Sequence, residues 1–211
     1  MKISASLRIA PALLALTFAA GAVAADVTPH DAPSHDAALP GDSIYQIDVP
    51  LVDQDGHTLT LGERSGGPVV ISMFYSTCPY MCPMIIDTIK RVDHALKANG
   101  RARLRVVMVS FDSANDTPPV LKASAVKHHV DFKRWTFARA EPDGVRSIAA
   151  ALDIQYRALP DGSFNHSGVL TLLDAQGRIV ARTEKLGEVD PEFLKAVVAQ
   201  TQPSQGPKPA H

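Results

Sequence analysis

Two near-continuous apolar runs, PVVISMFY at residues 68–75 and LRVVMVSF at 104–111, constrain this chain more than any other feature. Neither alternates between apolar and polar residues as a half-exposed strand does, so each reads as a strand covered on both faces. Between them Ile85, Ile86, Ile89, Val92 and Leu96 recur at helical spacing over residues 83–98. Strand, helix and strand in that order imply a parallel pair joined by a crossover.

The flanking sequence extends this unit at both ends. Residues 44–52 and 58–61 surround an Asp55-Gly56 turn, which predicts a hairpin at the start of the domain. Thr117 before Pro118 reads as an N-cap and first helical residue, opening a helix towards His128. A short strand over 135–138 and a helix over 143–152 follow. The run SGVLTLLDAQGRIVART reads as two strands joined around Asp174–Gly177, and Asp190 or Pro191 opens a last helix through Val198. Mixed α/β order with a closing hairpin and a terminal helix is the pattern of a thioredoxin-like fold. Here it carries an N-terminal β-hairpin, and residues 112–139 exceed the minimal pattern and read as an insertion.

Outside that domain the composition changes. Residues 1–25 place Lys2 and Arg8 before an apolar run from Ile9 to Ala20, then an A-x-A pattern at Ala22 and Ala24, as a cleaved secretory signal does. The run is shorter than the about 20 residues of a membrane span, although an uncleaved N-terminal anchor is the alternative. Residues 26–42 mix Pro, Asp, His and Ala without apolar periodicity and read as a solvated linker, as does the tail from 202 to 211. The folded domain is therefore expected over 43–201, as a periplasmic monomer. Cleavage takes Lys2 and Arg8 from the 21 basic residues and none of the 22 acidic ones, leaving a net charge of −3. That balance does not suggest a nucleic-acid partner or an anionic membrane surface.

The two cysteines, Cys78 and Cys82, fall between the first buried strand and the helix, where open α/β sheets place ligands. Pro83 disfavours helical geometry at Cys82, so the CPYMC segment is expected as a loop with the helix starting at Pro83. Cys82 beside a helix N-terminus favours the thiolate. A structural disulfide closing so short a loop stabilises by only roughly 2 kcal/mol. Redox and metal chemistry are the stronger readings. The C-x-x-x-C spacing alone does not choose between them: it permits a disulfide, and two thiolates suit Cu(I). A structural zinc site needs four protein ligands, and the chain holds two sulfurs of that kind.

Of the eight histidines, His166 differs by location, immediately before GVLTLLD, a strand that approaches the cysteine loop in a thioredoxin-like sheet. An imidazole there completes a three-coordinate site suited to Cu(II) as well as Cu(I). Thioredoxin-like reductases carry a cis-proline at the start of this strand, and this chain has no proline between Pro160 and Pro191. That argues against a general reductase. Asp112 is a candidate to orient His166 or a partner, or else to organise its own turn with Asp116 assisting the cap at Thr117. Met81 and Met84 read as packing residues at the helix start rather than as thioether ligands.

The segments FYSTCPYMCP, VSFDSANDTP, NHSGVLTLLDAQGRIV and LVDQDGHTLTL resemble, in order, those of the Sco/SenC family. These are thioredoxin-fold copper proteins of cytochrome oxidase assembly. The resemblance implies Cys78, Cys82 and His166 as ligands of Cu(I) or Cu(II). It further implies delivery of copper to a respiratory oxidase subunit with a CuA-type centre, and exchange with other copper carriers. The alternatives are a thiol-disulfide oxidoreductase that uses Cys78 and Cys82 to reduce the cysteines of that centre, and, more remotely, a redox sensor. Asn165 stands where the family often has Asp, which removes a charge beside the implied ligand.

Overall fold

The computed structural model describes residues 39–202. The expected signal segment, most of the linker and the tail from 203 lie outside the described residues. In chain order the strands are β1 (Leu51–Asp53), β2 (Thr58–Leu59), β3 (Val69–Phe74), β4 (Arg105–Ser110), β5 (Trp135–Arg139), β6 (Tyr156–Ala158), β7 (Phe164–His166), β8 (Leu170–Leu173) and β9 (Ile179–Thr183). The α-helices are α1 (Met81–Ala95), α2 (Ala98–Arg103), α3 (Pro118–Lys127), α4 (Pro142–Ala151) and α5 (Pro191–Thr201).

Seven strands form one sheet in the order β2-β1-β5-β4-β3-β8-β9. All six residues of β3 are buried, as its unbroken apolar run requires. It pairs in parallel with β4 from Val69↔Arg105 to Phe74↔Ser110. The crossover is α1, whose Ile85, Ile86, Ile89 and Val92 all face the core. A short second helix, α2, follows it. On the other side β8 runs antiparallel to β3, and β9 closes the sheet. The long 112–139 segment adds a helix and a strand: α3 carries the chain over to β5, which pairs in parallel with β4.

Several expectations change in detail. The first strand is short, because Ile44–Gln46 forms a 3-10 turn in place of extended chain. The Ser43 hydroxyl accepts from the Tyr45 N–H and donates to the Gln176 carbonyl, while the Ile44 N–H donates to Gly177. Those bonds dock the turn onto the β8–β9 connection. Thr117 precedes α3 in extended geometry but makes no side-chain cap bond. Asp190 does cap α5, accepting from the Glu192 N–H. The hairpin β6–β7 stands apart from the main sheet and was not anticipated.

A buried ion pair ties the far end of the crossover together. The Arg134 guanidinium donates to both carboxylate oxygens of Asp93 at 2.7 and 3.1 Å, and to the carbonyl of Arg101. It thereby links α1, α2 and the loop before β5.

Candidate metal centre

The site forms at the C-terminal end of β3, where the chain turns into α1. Cys78 lies in that turn and is 9% exposed; Cys82 is 2% exposed. The helix begins at Met81, so Cys82 is its second residue instead of the last residue of a loop. Pro83 at the third position needs no intrahelical donor, which is why the first turn accommodates it. Cys82 thus offers its backbone N–H outward, and that group donates to the Cys78 sulfur at 3.2 Å. The Tyr75 N–H points to the Cys82 sulfur at 3.5 Å. Neither cysteine is in a disulfide.

Gly168 allows the helix start to sit this close to the β7–β8 connection. A Cβ at that position would lie 2.6 Å from Leu186 Cδ1 and 2.8 Å from Met81 Sδ. Met81 is therefore a packing residue against Gly168, and Met84 is 42% exposed on the helix surface.

His166 ends β7, paired across the hairpin with Tyr156. Its Nδ1 lies 3.1 Å from the Ser167 carbonyl oxygen, a bond that requires a proton on Nδ1. The neutral ring then has its lone pair on Nε2, which faces the Cys82 sulfur at 3.8 Å. An aromatic wall holds the imidazole in place. Phe111 lies 5.0 Å from it and Tyr75 6.0 Å, centroid to centroid. Tyr156 stacks on Phe111 at 4.8 Å and Phe164 meets Tyr75 at 5.2 Å, fixing the hairpin to the end of the sheet. A cleft of about 380 Å³ opens here, lined in part by Cys78, Tyr80, Met81, Phe164 and His166.

One ligand atom from each of Cys78, Cys82 and His166 falls within 4.8 Å of the others, and no second group of this kind occurs among the described residues. The two sulfurs are unequal. A hydrogen bond from the Cys82 thiol, helped by the Cys82 backbone N–H, holds Cys78 down at about 4 against the opposing effect of burial. Cys82, expected as the thiolate from its place at a helix start, is instead pushed far upward, first by keeping the proton it donates to Cys78 and then by burial. At neutral pH the pair is one thiolate and one thiol sharing a proton. Soft sulfur with one imidazole suits copper in either common oxidation state. Structural zinc takes four ligands, and the group offers three.

Asp112 does not hydrogen-bond to His166. Its carboxylate accepts from the backbone N–H and the side-chain amide of Asn115, closing the β4–α3 turn. Asp116 does not assist a cap at Thr117; it is 1% exposed and accepts from the Ser76 N–H and the Ser110 hydroxyl. The aromatic wall escaped the sequence reading as well. Its signal was present in Tyr156 and Phe164, placed on either side of an Asp161-Gly162 turn that predicts a hairpin.

The family model SCO1/SenC matches residues 39–201. A protein of Stutzerimonas stutzeri is 26% identical over 133 residues, spanning 61% of this chain and 64% of that protein. The chain thus spans just under two thirds of the length of that relative. Among solved structures, copper-bound ScoI of Bradyrhizobium japonicum is similar at a TM-score of 0.60 and 21% identity, covering 72% of this chain and 94% of that one. BsSco is described as a member of the Sco family of cytochrome c oxidase assembly proteins with a disulfide switch. It is similar at a TM-score of 0.63 and 18% identity, over 77% of this chain and 96% of its own. At these identities the structural likeness establishes the thioredoxin-like fold.

Proposed function

The chain belongs to the SCO1/SenC family, and from that premise we propose that it binds copper through Cys78, Cys82 and His166 and hands it to a respiratory copper enzyme with a CuA-type centre. The observation that carries this reading is the convergence of two sulfurs and a free imidazole Nε2 within 4.8 Å, from a helix start and a separate hairpin. Copper is the cargo. The Cys78 thiolate is the first donor to meet it at the cleft, and the Cys82 thiol binds on losing one proton to solvent. Cu(I) is satisfied by two sulfurs, while Cu(II) gains from the imidazole, so the hairpin side of the site distinguishes the oxidation states.

The copper-bound state of the similar ScoI supports copper as the cargo. The A-x-A signal pattern supports export to the periplasm. Among the described residues no helix is long and apolar enough to cross a membrane. The folded unit is proposed to run from 43 to 201. Anaerobic titration of the reduced chain tests the central claim: one tight Cu(I) per chain, and a sulfur-to-copper charge-transfer band on binding Cu(II). Absence of tight binding by the reduced chain would sink it.

The unequal sulfurs favour a second reading, in which the same pair exchanges with a disulfide in the client. The Cys78 thiolate attacks one client sulfur and the other leaves as thiolate. Cys82, losing its proton, then attacks Cys78, forming the Cys78–Cys82 disulfide and releasing a client dithiol. Two electrons pass from this chain to the client. A Cys82→Ser chain that traps no mixed disulfide with a CuA-domain substrate excludes this reading and leaves the first intact.

A further inference from the structure

The cysteine turn and the aromatic wall behind His166 meet on one buried carboxylate. Oδ2 of Asp116 accepts from the Ser76 N–H at 3.0 Å and from the Ser110 hydroxyl. Ser76 stands two residues before Cys78. Ser110 is the last residue of β4, and the next residue, Phe111, places its ring 5.0 Å from the His166 imidazole. The two halves of the site therefore come from different strands and share one acceptor oxygen.

Burying an acid without a counter-charge is costly. The hydrogen-bonding groups at Asp116 are serines, with no lysine or arginine among them. The local turn does not need this carboxylate for its closure, because Asp112 with Asn115 and the Asp116 N–H to the Asp112 carbonyl at 2.9 Å already close it. What Asp116 adds is the cross-link from the end of β4 to the turn that carries Cys78.

We propose that Asp116 is a positioning residue that sets the spacing between the two sulfurs and the imidazole by tying Ser76 to Ser110. The proposal rests on the copper reading for its consequence in metal binding, while the positioning itself concerns the metal-free chain. Asparagine at 116 keeps an acceptor oxygen in the same place and alanine does not, so the pair separates the hydrogen bonds from the volume of the side chain.

The test uses the full chain carrying Asp116→Ala or Asp116→Asn, with two readouts. In the metal-free protein, the nuclear Overhauser contact between the Phe111 and His166 rings is lost in Asp116→Ala. The contact between Trp135 and Phe137, 6.3 Å apart in the core, remains. In copper titrations Asp116→Ala weakens Cu(II) by about tenfold or more, the usual effect of removing a group that orients ligands, and Asp116→Asn recovers most of it. A folded Asp116→Ala chain with the parent ring contact and parent Cu(II) affinity overturns the proposal. If that variant does not fold, Ser110→Ala, which removes one of the two bonds, carries the test: a weakened ring contact supports the cross-link and an unchanged one refutes it. Failure of the parent chain to bind copper would defeat the functional reading, whereas the ring contact would still decide the role of Asp116.

Discussion

His166 Nδ1 lies 3.1 Å from the carbonyl oxygen of Ser167, and that bond leaves the opposite ring nitrogen free to face Cys82. The imidazole is therefore set up as a lone-pair donor before any metal arrives. Replacing it isolates its contribution. His166→Ala is expected to lower Cu(II) affinity by about a hundredfold and to abolish the three-donor charge-transfer band, while Cu(I) affinity changes by less than about tenfold because both sulfurs remain. Parallel competition titrations with Cu(I) and Cu(II) measure the difference. Equal losses for the two ions would show that the ring does not discriminate between them.

The shared proton predicts a sharp asymmetry in thiol reactivity. With Cys78 held at about 4 and Cys82 pushed up, only Cys78 is ionised near pH 6. Iodoacetamide should modify Cys78 alone at that pH, and the rate should fall as pH drops through about 4, where the thiolate takes up its proton. Cys82→Ala removes the largest cause of the lowered value, so the midpoint of the Cys78 rate profile should move up by more than one pH unit. Mass spectrometry of the modified chain identifies the site. A profile unchanged in Cys82→Ala would mean that backbone N–H groups alone stabilise the thiolate.

The parallel core was legible in the sequence because β3 and β4 are unbroken apolar runs, and such runs have few alternatives to a doubly covered strand. Cys78, Cys82 and His166 were legible as a set through local position and family resemblance. What escaped were contacts that depend on packing between distant segments. The β6–β7 hairpin is stabilised by Tyr156 on Phe111 and Phe164 on Tyr75, pairs separated by dozens of residues, and its own strands are too short and exposed to announce themselves by periodicity. Asp116 was misread for a related reason. Its neighbours Thr117 and Pro118 suggest a helix cap, but the partners that matter are Ser76 and Ser110, brought near by the β3–β4 pairing. The helix start moved because Pro83 is compatible with the first turn as well as with the position before it.

Gly168 makes a steric prediction. Its missing side chain leaves the space occupied by Leu186 and by Met81, which directly precedes Cys82. Gly168→Ala should destabilise the fold by about 1 kcal/mol, the low end for overpacking, since the contacts at 2.6 and 2.8 Å are with the ends of two flexible, partly buried side chains that must shift to make room. Because Met81 begins the same helical turn as Cys82, Cu(II) spectra should broaden or shift in the same variant. Denaturant unfolding and the charge-transfer band read the two effects separately. A variant with parent stability would show that Met81 and Leu186 yield without cost.

Arg134 offers the complementary case, a residue remote from the sulfurs whose loss should affect stability without affecting copper. Its guanidinium is 16% exposed and engages Asp93, 8% exposed, through two hydrogen bonds, and it also caps carbonyls where α2 leads into β4. Arg134→Ala strands the Asp93 carboxylate in a site with little water. Breaking a buried pair from one side costs about 3–5 kcal/mol, and the residual solvent access here places the expected loss at the lower end, about 3 kcal/mol. Arg101 also approaches Asp93, at 3.8 Å and 40% exposed, but is too distant and too wet to replace the bidentate contact. The double variant Asp93→Asn with Arg134→Met should recover part of the loss by removing both charges together. Copper stoichiometry and the charge-transfer band should match those of the parent wherever the chain is folded. A copper defect at full occupancy of the folded state would instead reveal coupling between the far end of α1 and the Cys82 turn at its start.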